Sequence, residues 1–195
     1  KIGVTRRALE LADTVIIGGG MAYTFLKSSG MAVGGSLVDH DSLAFASEVL
    51  DLASSGSCQV FLPTDHVISK SLETGVPTRV ASDIPDGWMG LDIGPDSRMV
   101  FTMAIAAAGT VLWNGPMGVS EIPEFAEGTR HLANAVSDAT EGGTVSIIGG
   151  GDTAAAVNKF DVGDRMSHVS TGGGASLELL EGRILPGVAA LTSGQ

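Results

Sequence analysis

The pattern that most constrains the fold is a short apolar run that ends in three glycines and continues as a helical pattern. It occurs three times, in the stretches "TVIIGGGMAYTF", "TVSIIGGGDTAAAV" and "SHVSTGGGASLELL". A glycine inside a helix or strand costs about 0.5–1 kcal/mol relative to alanine, so three in succession indicate a junction between elements. Each repeat predicts a buried strand, a tight turn whose backbone lets a ligand approach closely, and a helix.

Short apolar runs alternate with helical patterns along the rest of the chain as well. The stretch 64–97 differs, because its prolines and glycines predict mostly loop, with short strands near 78–82 and 90–94. Outside that stretch we predict strands at 14–18, 58–63, 110–115, 144–149 and 167–172. We predict helices at 2–12, 21–30, 40–55, 97–109, 124–140, 152–160 and 175–182.

Continuous apolar strands separated by helices are typical of a mainly parallel sheet that helices cover on both faces. We therefore predict a three-layer α/β/α, Rossmann-like fold, with a six-stranded, mainly parallel sheet in the strand order 3-2-1-4-5-6. A length of 195 residues fits one domain, and no break in composition divides the chain. We expect residues 1–195 to form a single domain.

Charge and composition exclude several classes of function. Lysine and arginine number 11 against 22 acidic residues, a net charge of −11, and no basic patch suited to a nucleic-acid backbone is present. No apolar run approaches the roughly 20 residues of a membrane span, and no signal-peptide pattern is present. We therefore expect a cytoplasmic protein with no nucleic-acid or membrane partner. The single cysteine, Cys58, predicts a buried thiol.

A domain this poor in cations is expected to bind phosphate through backbone N–H groups, helix N-termini and a metal ion. Asp152 directly follows Gly150 and Gly151. A carboxylate repels phosphates unless a hard cation lies between them, and Mg²⁺ binds through one or two carboxylates together with substrate phosphates. The alternative is that Asp152 is a plain helix N-cap. Neither the NAD fingerprint nor the P-loop motif occurs.

A second polar turn, "LWNGPMGVSE" at 112–121, follows another predicted strand. Glu121 is suited to accept hydrogen bonds from ribose hydroxyls, while Pro116 and Met117 supply apolar surface for a base. The stretch "GWMGLDIGP" at 87–95 predicts a similar apolar, glycine-rich wall. Taken alone, both stretches are ordinary turns.

With these motifs assembled, the chain resembles the C-terminal, nucleotide-binding domain of the phosphoglycerate kinase family along its whole length. The motifs that carry the resemblance are "KIGV", "IIGGGMAYTFL", "GWMGLDIGP", "WNGPMGV", "GGGDTAAAV", "MSHVSTGGGASLELLEG" and "LPGVAAL". The family transfers a phosphoryl group between 1,3-bisphosphoglycerate and ADP, giving 3-phosphoglycerate and ATP in glycolysis. The resemblance thus implies a cytoplasmic, monomeric parent enzyme that uses Mg²⁺ with ADP or ATP.

The resemblance also implies roles for particular residues. On the nucleotide, Lys1 would touch the phosphates, and Gly18, Gly19 and Gly90 would form the adenine pocket. The ribose-side contacts would be Asn114, Pro116 and Glu121, and the phosphate loop would be Gly150, Gly151, Asp152 and Thr153, with Asp152 on Mg²⁺. The catalytic set would be Gly151 with Gly172, Gly173 and Gly174, which open the helix facing the transferred phosphoryl group.

Two departures from the family pattern affect what the chain is expected to do. Ser120 stands where the family usually has an aromatic residue before the glutamate. Nothing in these 195 residues resembles the family's N-terminal domain, which binds the glycerate substrate with a basic patch and on which the tail at 183–195 would pack. We expect the chain alone to bind nucleotide without turnover. The alternatives are a non-catalytic adenine-nucleotide-binding module and, less favoured by the glycine spacing, an NAD-type oxidoreductase domain.

Overall fold

The computed structural model of this chain describes residues 2–172 and, beyond them, positions 174, 178, 182 and 189. Four predictions fall wholly or mostly outside the described residues. They are the phosphate contact at Lys1, the helix-opening role of Gly173, the helix at 175–182, of which only positions 178 and 182 are described, and the packing of the tail at 183–195, of which only Ala189 is described.

Helices and strands alternate along much of the described chain, and the stretch 64–97 is the main exception. The helices are α1 (Ile2–Leu11), α2 (Gly19–Ser28), α3 (Leu43–Ser55), α4 (Pro95–Ala106), α5 (Glu127–Glu141) and α6 (Gly151–Lys159). The strands are β1 (Thr14–Ile16), β2 (Gln59–Phe61), β3 (His66–Ser69), β4 (Arg79–Ala81), β5 (Met89–Ile93), β6 (Thr110–Asn114), β7 (Val145–Gly149) and β8 (His168–Ser170). Short 3₁₀ turns lie at His40–Ser42, Pro123–Phe125 and Gly163–Arg165.

Parallel pairing joins five of these strands. β1 pairs with β2, with Val15 opposite Val60. β6, β7 and β8 form a second parallel group in that order, in which Ile148 of β7 lies between Trp113 and Val169. The predicted α/β class and its mainly parallel pairing are confirmed.

The sheets are smaller than the predicted six-stranded sheet, because the stretch 64–97 folds differently. There β3 lies between β4 and β5 and pairs antiparallel with both. β4 and β5 match the two short strands predicted in this stretch, whereas β3 lies where the sequence predicts loop. Its four residues become a strand because a hydrogen-bonding partner is present on each side, which is a non-local cause. The predicted order 3-2-1-4-5-6 numbers the six strands expected from the sequence. Its neighbours 2-1 correspond to the pair β2-β1, and its neighbours 4-5-6 correspond to β6-β7-β8.

Two apolar clusters pack the helices onto the parallel strands. The larger lies among α4, α5, α6 and the β6–β7 pair, and it contains the fully buried Phe101 and Ile148. The second joins α2 and α3 to the end of β1 through Phe25 and Val49. Cys58 is buried as predicted, and this burial raises the pKa of its thiol.

A buried carboxylate from outside the helix caps the N-terminus of α4. Asp65 accepts hydrogen bonds from the backbone N–H of Asp96 (3.0 Å) and from that of Ser97 (2.8 Å). Pro95 at the first helical position has no N–H that needs a partner. Asp65 therefore satisfies donors that the start of any helix leaves unpaired.

Candidate functional site

The turns that follow β1, β6, β7 and β8 are joined to one another at one edge of the parallel strands. The N–H of Gly150, after β7, donates to the carbonyl oxygen of Ser170 at the end of β8 (3.0 Å). The N–H of Gly115, after β6, donates to Oγ1 of Thr153 in α6 (2.7 Å). A Cβ on Gly19, after β1, would lie 2.6 Å from the carbonyl oxygen of Pro116. Four strand ends thus form one continuous backbone surface, as expected for a parallel sheet.

The turn after β7 is open on the side of Gly151. Gly150 has φ 100° and ψ 143°, a conformation that is nearly restricted to glycine. The first helical hydrogen bond of α6 runs from Ala154 N to the Gly150 oxygen (2.9 Å), so the N–H groups of residues 151–153 have no partner within the helix. Gly151 is exposed, with no heavy atom within 4 Å of the place a Cβ would take.

Asp152 is exposed in the first turn of α6. The N-cap position belongs to Gly150, so the alternative that Asp152 is the N-cap of this helix is wrong. A carboxylate beside open N–H groups is compatible with a hydrated Mg²⁺ that also binds phosphates, because this ion needs only one or two protein carboxylates. Among the described residues no group of three acidic, histidine or cysteine side chains forms a cage for a metal ion.

Asn114 and Thr153 support the turns on either side of the α6 N-terminus. Thr153 is almost fully buried, and its Oγ1 is the acceptor for the Gly115 N–H. The Asn114 side chain lies against Gly150, where a Cβ would be 3.3 Å from Nδ2. The structure therefore brings Asn114 and Thr153 together at the N-terminus of α6.

The turn at 115–121 is held at several points along its length. Thr129 Oγ1 accepts hydrogen bonds from the N–H groups of Met117 (3.0 Å) and Gly118 (3.3 Å). Lys159 Nζ, at the end of α6, donates to the carbonyl oxygen of Ser120 (2.6 Å). Glu121 follows directly and is exposed. Its side chain is open to solvent, as the predicted ribose contact requires.

Two residues are less accessible than the sequence suggests: Met117, predicted to supply apolar surface for a base, and Gly90, predicted to line the adenine pocket. Met117 is only 7% exposed and belongs to the larger core cluster, where it also fills the space beside Gly18. Gly90 is buried in β5, between the Tyr23 ring and the Ser36 hydroxyl, which accepts its N–H at 2.9 Å. Among the described residues, none of the hydrogen bonds that join the four turns involves Gly90.

The remaining glycines of the predicted catalytic set lie beyond β8. Gly172 is exposed, and its N–H donates to Ser170 Oγ (3.2 Å). Gly174 is exposed, with open space on its Cβ side. Both are therefore accessible at the strand end that Gly150 contacts through Ser170.

Sequence reasoning missed one residue beneath this edge. Asp92 of β5 is fully buried, and it accepts hydrogen bonds from the N–H groups of Ile93 (2.8 Å) and Gly128 (2.6 Å). Burial raises the pKa of Asp92 to about 7. An acid inside an apolar strand is the signal that points to it, because a buried charge needs dedicated partners.

Comparison with known proteins assigns the chain to a family. The family model for phosphoglycerate kinase matches residues 1–183. A chloroplastic phosphoglycerate kinase from Volvox carteri is 53% identical over 193 residues, and one from Thermosipho africanus is 49% identical over 196.

No described helix has the length and apolar character to cross a membrane.

Solved structures agree with the sequence matches. A phosphoglycerate kinase from Coxiella burnetii superposes with a TM-score of 0.90 at 40% identity. The match covers 94% of this chain and 48% of the Coxiella chain. One from Pyrococcus horikoshii gives 0.81 at 28% identity. The chain covers 42% of the Volvox relative and 49% of the Thermosipho relative, so it spans about half the length of the curated proteins it matches. On this sequence and structural similarity, the chain belongs to the phosphoglycerate kinase family.

Proposed function

We propose that this chain is the C-terminal, nucleotide-binding half of a phosphoglycerate kinase and that it binds ADP or ATP with Mg²⁺. The observation that carries the proposal is the α6 N-terminus at the joined strand ends, where the first N–H groups have no partner within the helix, Asp152 is exposed and the Cβ side of Gly151 is open. The helix dipole favours anions at this point, so the backbone can hold phosphates without a cationic pocket. When bound, Mg²⁺ supplies positive charge between Asp152 and the phosphate oxygens.

Each of the other turns would take a different part of the nucleotide. Glu121, exposed at the end of the 115–121 turn, would accept hydrogen bonds from the ribose hydroxyls. Gly18, Gly19 and Pro116 meet where the turns after β1 and β6 touch, and they would form the backbone wall for the base. Gly172 and Gly174 would face the transferred phosphoryl group, as would Gly173, while Lys1 would contact the nucleotide phosphates. In this reaction class the protein mainly positions the substrates and neutralises charge.

The glycerate side of the reaction would lie in the half of the relatives that this chain does not match. A glycerate phosphate carries both a phosphate and a carboxylate and needs cations to bind it, and the described arginines are engaged elsewhere. Their partners are Glu48 for Arg6, Glu10 for Arg7, Glu127 for Arg98 and Arg130, and Asp138 and Glu141 for Arg165, while Arg79 stacks on Trp88. We therefore propose that 1,3-bisphosphoglycerate and 3-phosphoglycerate reach this site only with that other half. The docking of 183–195, a monomeric parent and a cytoplasmic location stay predictions.

Asp152→Ala is expected to weaken binding of Mg-ADP by at least about tenfold and binding of metal-free ADP by much less. The reason is that the carboxylate acts on the phosphates only through the cation. Calorimetric titration with ADP, with and without Mg²⁺, measures both constants. Asp96→Ala is the matched control, because Asp96 has the same place in the first turn of α4. Equal losses with and without Mg²⁺ would contradict the metal role.

Glu121→Ala is expected to raise the dissociation constant for ADP by about tenfold or more, because a hydrogen bond to a charged group contributes about 1.5–3 kcal/mol. The side chain is exposed, so the unfolding free energy is expected to stay nearly unchanged. Titration with ADP and with NAD also separates the kinase proposal from an oxidoreductase. An unchanged ADP constant in the variant would remove Glu121 from the site.

A further inference from the structure

Asp92 joins three elements beneath the strand-end surface. It lies in β5, opposite the apolar Val67 of β3, and none of its surface is exposed. Its Oδ1 accepts the N–H of Ile93, while its Oδ2 accepts the N–H of Gly128 in the first turn of α5. The carboxylate thus takes up one of the donors that the start of α5 leaves unpaired.

The 115–121 turn packs on the same carboxylate. A Cβ on Gly118 would overlap Asp92 Oδ1, and so would a Cβ on Gly128. Two glycines from different segments therefore lie directly against the acid. The Asp92 side chain therefore helps to set the spacing between the turn and the start of α5.

Three further hydrogen bonds join the turn to the same two elements. The N–H of Val119 donates to the Leu91 oxygen of β5 (3.0 Å), and Thr129 of α5 accepts two further N–H groups of the turn. A shift of α5 against β5 would therefore pull these anchors apart. Pro116 and Glu121, the proposed nucleotide contacts, lie on this turn.

We propose that Asp92 is a positioning residue of the nucleotide site, whose charged carboxylate holds β5, α5 and the 115–121 turn in the geometry that binds nucleotide. Protonation of Asp92 loosens this junction, because a carboxylic acid accepts two backbone N–H groups less strongly than a carboxylate does. Nucleotide affinity then falls as Asp92 takes up a proton. This inference rests on the proposed nucleotide site.

The charges around Asp92 place its protonation near neutral pH. Burial is the main cause that raises its pKa, to about 7, and the charge of Glu127 on α5 adds to it. The N–H donors of Gly128 and Ile93 and the charge of Arg98 on α4 act in the opposite direction. Tyr23 of α2 stays neutral, because burial and the Asp92 charge raise its own pKa.

Stability and affinity are expected to respond to pH in opposite directions. The folded pKa of Asp92 lies above the usual value of about 4, so the folded chain holds a proton that the unfolded chain has lost between those two pH values. The contribution of Asp92 to the unfolding free energy therefore falls as pH rises from about 4 to 7. Affinity for ADP rises over the upper part of that window. A residue with a purely structural role would not make the unfolding free energy and the ADP affinity respond to pH in opposite directions.

The test compares Asp92→Asn with the wild-type chain by ADP titration between pH 5.5 and 8.5. Asparagine keeps the size but offers one acceptor for two N–H groups and does not titrate. The ratio of the variant and wild-type dissociation constants is expected to be about tenfold at pH 8.5 and to fall to about twofold at pH 5.5. Titration of the ADP phosphates cancels in this ratio. A ratio that is constant with pH would overturn the inference.

Asp65→Asn is the matched control, since Asp65 caps α4 in the same way without contact to the 115–121 turn. The ratio of its ADP dissociation constant to that of the wild-type chain is expected to stay near one at every pH. A ratio that changes with pH as it does for Asp92→Asn would overturn the inference.

If Asp92→Asn does not fold, carbon NMR of the wild-type chain replaces it. The pKa of Asp92 is then expected to be lower with saturating ADP, by reciprocity of the linkage, and an unchanged pKa would overturn the inference. Absence of ADP binding to the wild-type chain would instead refute the proposed function.

Discussion

The 195-residue chain, assayed alone with saturating Mg-ATP and 3-phosphoglycerate, is expected to turn over at least about a thousandfold more slowly than a full-length family member. Holding two reactants together is worth effective molarities of 10⁵–10⁸ M in favourable cases, and that gain is lost when one substrate has no binding surface. Each described arginine is already paired with an acid or stacked on Trp88, so none of these arginines is free to bind glycerate.

A coupled assay of ADP formation measures this rate, and the full-length Thermosipho relative is a suitable reference at the same temperature. The control is nucleotide binding to the same preparation, which is expected to be intact. A rate within about tenfold of the reference would contradict the account and place the glycerate site within residues 1–195.

Phe101→Ala is expected to lower the free energy of unfolding by about 3–5 kcal/mol, the usual cost of removing a fully buried aromatic side chain. Phe101 lies on α4 at 0% exposure, in the cluster that supports β6 and β7, so loss of its ring leaves a cavity beneath the strand ends. Urea denaturation at equilibrium measures the change.

Met103→Ala is the control on the same helix, because Met103 is 67% exposed. We expect it to change the unfolding free energy by no more than about 0.5 kcal/mol. Similar losses in the two variants would contradict the assignment of the core to the inner face of α4.

The sequence was most informative where local patterns decide the structure. The β-branched runs followed by glycines predicted β1, β7 and β8, and the helices after the first two begin within two residues of the predicted positions. These elements depend on propensity and on glycine at turns, both of which are visible in a single sequence.

The sequence was less informative where distant segments meet. β3 exists because β4 and β5 pair with it, and Gly90 is buried because Tyr23 of α2 covers it. Neither contact leaves a local pattern. The same holds for Asp92, whose partners Gly128 and Gly118 are far from it along the chain. An acidic residue in an apolar strand nevertheless indicates such partners, since a buried carboxylate needs them.

The central claim is that nucleotide binds at the joined strand ends, and amide NMR of the labelled chain during titration with Mg-ADP tests it most directly. We expect the largest shifts on the amides of Gly19, Gly150, Gly151, Glu121 and Gly172, which lie on the four turns. We expect little change at the surface groove of about 430 Å³ beside α4, which is lined by Met99, Met103 and His131. Shifts centred on that groove, or no shifts at saturating Mg-ADP, would contradict the account.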